Sequence, residues 1–264
     1  MTNRPEALSE RYARRFEDLS VVARYHLRPT YPPETFAILN ELIQDEPRVV
    51  LDVGCGTGNI ARRLTAYTEE IDAVDMSEAM LECARKMPGG DSKKISWLHG
   101  QAEKVNARPN YALITAGESL HWMDWEVALP RFAQLLSPHG VLAIVTLSEK
   151  PRVPWQDGYV QIVKQFSNNP TYVPIDLSAE LQKLKLFQPL GQRTTMPVLM
   201  RQTIEDYISA QHARSALSLD TMTADGAAQF DGEMYRLLSQ YALDGYLTLS
   251  VVGEIIWGKP LSAK

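Results

Sequence analysis

Cysteine is scarce: Cys55 and Cys83 are the only two in 264 residues. Neither belongs to a Cys-x-x-Cys pair or a Cys/His cluster, which removes the basis for a zinc site or a disulfide framework and points to a reducing cytoplasm. No metal is expected. Long apolar runs are lacking as well. The longest, "GVLAIVTL" at 140–147, falls far short of the roughly 20 residues that span a bilayer. The opening "MTNRPEALSERYARRFEDL" is charged throughout and holds no apolar leader core. Positive charge is not in excess: 27 Lys and Arg face 32 Asp and Glu, for a net charge of −5. That balance argues against nucleic acid or an anionic membrane as a partner.

What is present suits a globular protein. Hydrophobic residues make up 45% of the chain, ample for a core. Leu8, Tyr12, Phe16 and Leu19 predict an amphipathic helix over 6–19. "YHLRPTYPPE" breaks regular structure, and "ETFAILNELI" resumes a helix. From residue 48 short apolar runs alternate with helical segments: "RVVLDV", "IDAVD", "ISWLHG", "YALITAG" and "GVLAIVTL" read as strands. Ser77 and Glu78 suit a capped first turn, and Pro130 predicts a kink or early break in the helix before the fifth strand. Strands alternating with helices and buried on both faces predict an α/β fold with a doubly wound, mostly parallel sheet. After 150 the regularity stops. Helices are expected near 158–167, 203–217 and 227–242, and "GYLTLSVVGEIIWG" reads as a closing strand pair or one long strand.

The turn "DVGCGTGN" at 52–59 is the main chemical signal. Its glycines, Gly54, Gly56 and Gly58, are spaced G-x-G-x-G. Dinucleotide sites use G-x-G-x-x-G, and the phosphate-cradling P-loop ends in Gly-Lys-Ser/Thr. Asp52 brings a negative charge towards the space where a pyrophosphate would sit, which suits an ammonium group or a cation better. Asp75 closes the second strand, where an acid accepts hydrogen bonds from ribose hydroxyls. The two acids together suggest a ligand with a ribose at one end and a positive amino-acid part at the other. S-adenosylmethionine has both.

"LDVGCGTGNIARRL", "AVDMSEAML" and "GQAEKV" resemble, in this order, motifs of the class I Rossmann-fold S-adenosylmethionine-dependent methyltransferases. "YALITAGESLHWMDWEVALPRFAQLLSPHGVLAIV" and "RPTYPPETF" are similar to phrases of the trans-aconitate methyltransferase-like small-molecule subgroup. The likeness covers about 12–150. It implies a seven-stranded Rossmann-like sheet with an N-terminal helical lid (1–46), a cofactor-binding core (47–150), a cap inserted after strand five that includes strand six (151–244), and a closing strand (245–264). It further implies that Asp52, Gly54, Gly56 and Gly58 line the methionine part and ribose of S-adenosylmethionine, with Cys55 serving backbone approach. Asp75 would hold the ribose hydroxyls and Met76 would lie against the adenine. Gln101, Ala102 and Glu103 would border the adenine, Ala116 and Gly117 would flank the sulfonium, and Tyr25, Arg28 and Tyr31 would close over the cofactor. Two residues depart from the pattern: Ala112 stands where the subgroup usually has aspartate, and Gln101 replaces an aspartate many relatives use for the adenine amino group.

Methyl transfer from a sulfonium needs an aligned nucleophile, exclusion of water and, for some acceptors, a base. Glu118, His121 and Trp122 follow strand four. His121 suits a base by its ordinary pKa, and equally a pocket wall with Trp122. A substrate pocket is expected from His26, Trp122, Trp155, Tyr159, Tyr172 and Arg214, with Met196, Met200 and Tyr207 as further apolar lining. Arg28, Arg201 or Arg214 would suit a substrate carboxylate, and His212 is expected at the surface. The expected activity is methyl transfer to an oxygen, nitrogen or carbon of a small organic molecule. A cyclase or rearrangement on the same cofactor-binding fold, and a non-catalytic binding subunit, remain as alternatives.

Overall fold

A computed structural model describes residues 4–169 and 173–262. Its N-terminal segment departs from the single helix that the spacing predicts. α1 (Glu10–Ala13) and α2 (Leu19–Arg24) are separated by a 3-10 turn at Arg14–Glu17, and another follows at Tyr25–Leu27. The break has a local cause. Ser9 and Asp18 both take extended backbone and start a new turn, so Leu19 leaves the buried face and is 72% exposed. α3 (Pro33–Leu42) opens with proline in its first turn, where the missing N–H costs nothing, and buries Phe36, Ile38 and Leu39.

β1 (Val49–Val53) is buried at every position. It is followed by α4 (Ala61–Leu64), β2 (Glu70–Asp75), α5 (Glu78–Lys86), β3 (Ile95–His99), β4 (Tyr111–Gly117), α6 (Trp125–Leu135) and β5 (Leu136–Glu149). The five strands pair in parallel in the order β3-β2-β1-β4-β5. Two apolar clusters cover the sheet: Trp125, Leu129 and Phe132 of α6 in one, Phe36 and Leu39 of α3 in the other. The Ser77 hydroxyl caps α5 by accepting the Met80 N–H at 3.3 Å. In α6 the buried residues Trp125, Ala128, Leu129 and Phe132 follow helical spacing. The expected break at Pro130 does not occur. The helix runs on to Leu135, because its apolar face packs on the sheet on both sides of the missing rung.

Beyond β5 come α7 (Gln156–Phe166), α8 (Leu177–Lys183), β6 (Phe187–Thr194), β7 (Val198–Thr203), α9 (Ile204–Gln211), α10 (Ala224–Leu238) and β8 (Tyr246–Pro260). Eight strands therefore replace the expected seven, although they fill seven positions across the sheet. β8 is one long strand antiparallel to β5, and β6 and β7 share its other side. The split falls at Thr195–Pro197. Pro197 has no N–H for the ladder, and Thr195 instead exchanges hydrogen bonds with Gly253. The helix expected over 203–217 stops at Gln211. A third apolar cluster joins Phe230 and Met234 of α10, Tyr207 and Ile208 of α9, Trp155, and Leu247 and Leu249 of β8.

The strand order sets the site. After β1 the chain builds β2 and β3 on one side, then crosses to build β4 and β5 on the other. A crevice opens beyond the carboxyl ends of β1 and β4, where doubly wound sheets hold their ligands.

Candidate active site

The glycine turn leaves β1 with three residues in the left-handed region: Gly54 at φ +62°, Gly56 at +54° and Gly58 at +72°. Side chains here would be strained, and two would also collide. A Cβ on Gly54 would lie 2.5 Å from Ser119 Cβ, and one on Gly58 2.4 Å from the Trp97 ring. The Cys55 N–H donates to Val74 O at 3.0 Å, pinning the turn to β2. Asp75 does the rest. Its Oδ2 accepts the Gly56 N–H at 2.7 Å and its Oδ1 accepts the Ser77 N–H at 2.8 Å. Each oxygen keeps a further lone pair for a ligand hydroxyl. Asp52 is buried below the turn, accepting from Thr115 Oγ1 at 2.8 Å and from the Ala61 N–H at 3.1 Å. Burial pushes its carboxyl up to about 7, against the pull of those two donors.

Two cavities meet over this turn. The first, about 220 Å³, is bounded by Gly54, Gly56, Asp75, Met76 and the 100–104 loop, and by Phe16 and Trp122 from above. Phe16 lies edge-on to Trp122 at 5.7 Å and to Tyr25 at 6.4 Å. The slot is walled by aromatic rings on one side and by the Asp75 carboxylate on another. The second cavity, about 600 Å³, runs from Asp52, Cys55 and Thr57 past Arg28 and Tyr31 to the cap residues Tyr159, Tyr207 and Arg214. Tyr25, Gly54 and Glu118 line both, so a ligand filling the two cavities passes between these three residues.

Glu118 is held in a strained pose at that junction, with φ +52°. Its Oε1 accepts the Leu147 N–H at 2.6 Å, and its own N–H donates to Val145 O at 2.9 Å. Arg28 stacks over the Tyr25 ring at 5.1 Å. Burial raises the Tyr25 and Tyr31 phenols, keeping both neutral at neutral pH. Burial likewise pushes the Cys55 thiol well up, so it stays a thiol.

The residues singled out from sequence fall into distinct places. Met76, Gln101, Ala102, Glu103 and Trp122 line the first cavity. His26, Arg28, Tyr31, Gly117, Tyr159 and Arg214 line the second. Gln101 spends its amide N–H on Glu10 Oε1 of the lid at 3.2 Å, and Glu103 Oε1 accepts the Asp124 N–H at 2.8 Å. Gly58 packs under Trp97, and Ala116 is buried in the core; neither lines a cavity. His121 also lines neither, stacking beside Trp122 at 4.8 Å. Burial, then the Arg28 charge, holds its imidazole down to about 4. Trp155 sits in the cap's core and donates to Tyr207 Oη at 3.2 Å. Met196 is 73% exposed, Met200 lies in a shallow groove with Leu199, and Arg201 stacks on Tyr246 at 4.6 Å. Tyr172 falls outside the described residues.

His212 is a correction. Expected at the surface, it is 2% exposed, its ring nitrogens at 2.8 Å from Leu217 O and 2.8 Å from Asp231 Oδ1. The partner acid sits on α10, out of reach of any local pattern. Sequence reasoning also missed Ser119, whose hydroxyl donates to Val53 O at 2.6 Å beside the turn, and Glu149 and Gln211 in the second cavity. Ser119 follows the end of β4 and Glu149 is the last residue of β5, where ligands collect in such sheets.

These residues fit S-adenosylmethionine. The strained glycines leave room for backbone to approach the ligand, Asp75 offers ribose acceptors, and the slot between Met76 and the lid aromatics suits adenine.

The fold is that of the class I methyltransferases. It aligns over 89% of this chain with 99% of a proposed type II methyltransferase from Anaeromyxobacter dehalogenans, at a TM-score of 0.60 and 22% identity. Residues 50–140 match the family described as "Methyltransferase domain". An uncharacterized methyltransferase of Schizosaccharomyces pombe is 30% identical over 54% of this chain and 57% of its own length. The malonyl-[acyl-carrier protein] O-methyltransferase of Halalkalibacterium halodurans is 33% identical over 46% of this chain and 47% of its own. The chain thus spans about half the length of these curated relatives. Among the described residues no helix is long and apolar enough to cross a membrane.

Proposed function

We propose that this chain is an S-adenosylmethionine-dependent methyltransferase acting on an oxygen, nitrogen or carbon atom of a small organic molecule. One observation carries the reading: two cavities of different character join at Tyr25, Gly54 and Glu118, directly over the Asp75-locked glycine turn. The match of residues 50–140 to the methyltransferase domain family supports it independently. Asp75 and the 101–103 loop would hold the adenosine, and Asp52, Thr57 and Arg28 the methionine end. S-adenosylmethionine, when bound, supplies an electrophilic methyl group on a leaving group that is already activated. The chain's own work is then to align an acceptor in the larger cavity and keep water out. The lid residues Phe16, Tyr25 and Tyr31 do the excluding. At neutral pH His121 is neutral and away from the cavities, so any base acting on the acceptor belongs to Glu118 or to cap residues.

Incubation with S-adenosylmethionine and a panel of small acids, phenols and amines, read by mass spectrometry, tests the proposal. A product heavier by one methylene, with release of S-adenosylhomocysteine, is expected. An isomer of unchanged mass contradicts it, as does cofactor that is never consumed with any acceptor.

A further inference from the structure

Five arginines line the larger cavity: Arg28, Arg62, Arg63, Arg152 and Arg214. Three are already engaged. Arg62 bonds to Thr57 O and Pro88 O, Arg63 to Asn59, and Arg152 to the Asp157 carboxylate. Arg28 stacks on Tyr25 at the cofactor end. Arg214 is different. Its Nε donates to Gln211 Oε1 at 2.9 Å, and the same oxygen accepts from Tyr159 Oη at 2.9 Å. This clamp fixes the plane of the guanidinium. Its two terminal nitrogens make no hydrogen bond or ion pair among the described residues, and the group opens to the cavity.

A second uncompensated charge faces the same space. Glu149 ends β5, and its carboxylate has no hydrogen bond or ion pair among the described residues. Burial pushes its carboxyl up while Arg214 pulls it down, so the two groups sense each other. Yet they are not within ion-pair distance. Beside Glu149, the Ser148 hydroxyl oxygen is buried without a partner. Glu149 lies two residues past Leu147, whose N–H is bound by Glu118 at the junction of the cavities. Two strand residues put it about 7 Å beyond that point on the acceptor side.

A cavity that keeps a clamped cation and a half-buried anion apart, each unpaired, is complementary to a ligand bearing both charges. We infer that the methyl acceptor is a small zwitterion, its carboxylate on the Arg214 fork and its cationic amine against Glu149. A planar bidentate contact at Arg214 suits a carboxylate, and a cation opposite Glu149 would offset the burial that pushes its carboxyl up. The inference deepens the methyltransferase reading and rests on it.

Calorimetric titration of the complex with S-adenosylhomocysteine tests it. The probes are the common amino acids, β-alanine and 4-aminobutanoate, each beside its deaminated acid and its decarboxylated amine. At least one zwitterion is expected to bind tenfold or more tighter than both singly charged counterparts. Glu149→Gln and Arg214→Gln should each weaken it at least tenfold, with Arg214→Lys between, while S-adenosylhomocysteine affinity stays unchanged in all three. Absence of binding by every zwitterion overturns the inference, and so does equal binding of the deaminated acid or an unaffected Glu149→Gln protein. If the substitutions instead weaken S-adenosylhomocysteine, the two charges serve the cofactor and the inference falls. Failure of S-adenosylhomocysteine to bind the unaltered protein would be a different result, against the methyltransferase reading itself.

Discussion

The Asp75 carboxylate accepts the Gly56 N–H at 2.7 Å, so the acid expected to bind a ribose also fixes the loop beneath it. Substitution at this position therefore has two effects. Asp75→Asn keeps one acceptor oxygen and should weaken S-adenosylhomocysteine binding by about 1 kcal/mol, and Asp75→Ala by about 1–3 kcal/mol. Equilibrium titration of both variants checks the order. Equal affinity in all three proteins would mean that the second strand does not touch the ribose.

Gly54 has no space for a side chain. With φ at +62° and Ser119 Cβ 2.5 Å from the position of an added Cβ, Gly54→Ala must displace the β4–α6 loop. Overpacking of this kind costs about 1–3 kcal/mol. A lower unfolding midpoint and loss of cofactor binding are expected together. Gly232, which has nothing within 4 Å of an added Cβ, serves as the control: Gly232→Ala in α10 should raise stability by about 0.5–1 kcal/mol.

Glu118 lines both cavities, so in the proposed binding mode the sulfonium passes beside it, and S-adenosylhomocysteine lacks that charge. Glu118→Gln keeps an oxygen to accept the Leu147 N–H but removes the carboxylate charge. Affinity for S-adenosylmethionine should fall several-fold, a loss of about 1 kcal/mol, while affinity for S-adenosylhomocysteine changes little. Calorimetry with both ligands gives the ratio. An unchanged ratio places Glu118 away from the sulfonium.

The imidazole of His121 is held down to about 4 from an ordinary 6.5. Between those values the unfolded chain binds a proton that the folded chain does not, so this group makes stability rise with pH from about 4 to 6.5. Asp52 slopes the other way, since its carboxyl is pushed up to about 7 from 3.8 and the folded chain keeps the proton. His121→Asn should remove the rising contribution, on the order of 2 kcal/mol across the window. With the falling Asp52 contribution then unopposed, the denaturant midpoint at pH 7 should drop relative to that at pH 4.5 in the variant compared with the parent. Parallel shifts in the two proteins would contradict the buried, neutral imidazole.

The core strands and the glycine turn were legible because their signals are local: apolar runs between helical segments, and a glycine-rich turn with an acid at the end of each of the first two strands. What escaped depended on distant partners. His212 is buried by Asp231 on α10, and Arg214 is aimed by Gln211 and Tyr159. The lid broke into short turns because Ser9 and Asp18 extend, a choice the apolar spacing of Leu8, Tyr12 and Phe16 does not record. Pro130 failed to break α6 because packing on the sheet outweighed one lost rung. The split of the edge strand at Pro197 was readable in principle, but only once β8 was known to be a single strand pairing on both sides of it.

Cofactor binding is the claim on which the account stands. Titration of the protein with S-adenosylhomocysteine measures it most directly. One equivalent bound per chain, with affinity weakened in Asp75→Ala and lost in Gly54→Ala, is the expected result. A folded protein that gives no binding heat at any temperature would contradict the account.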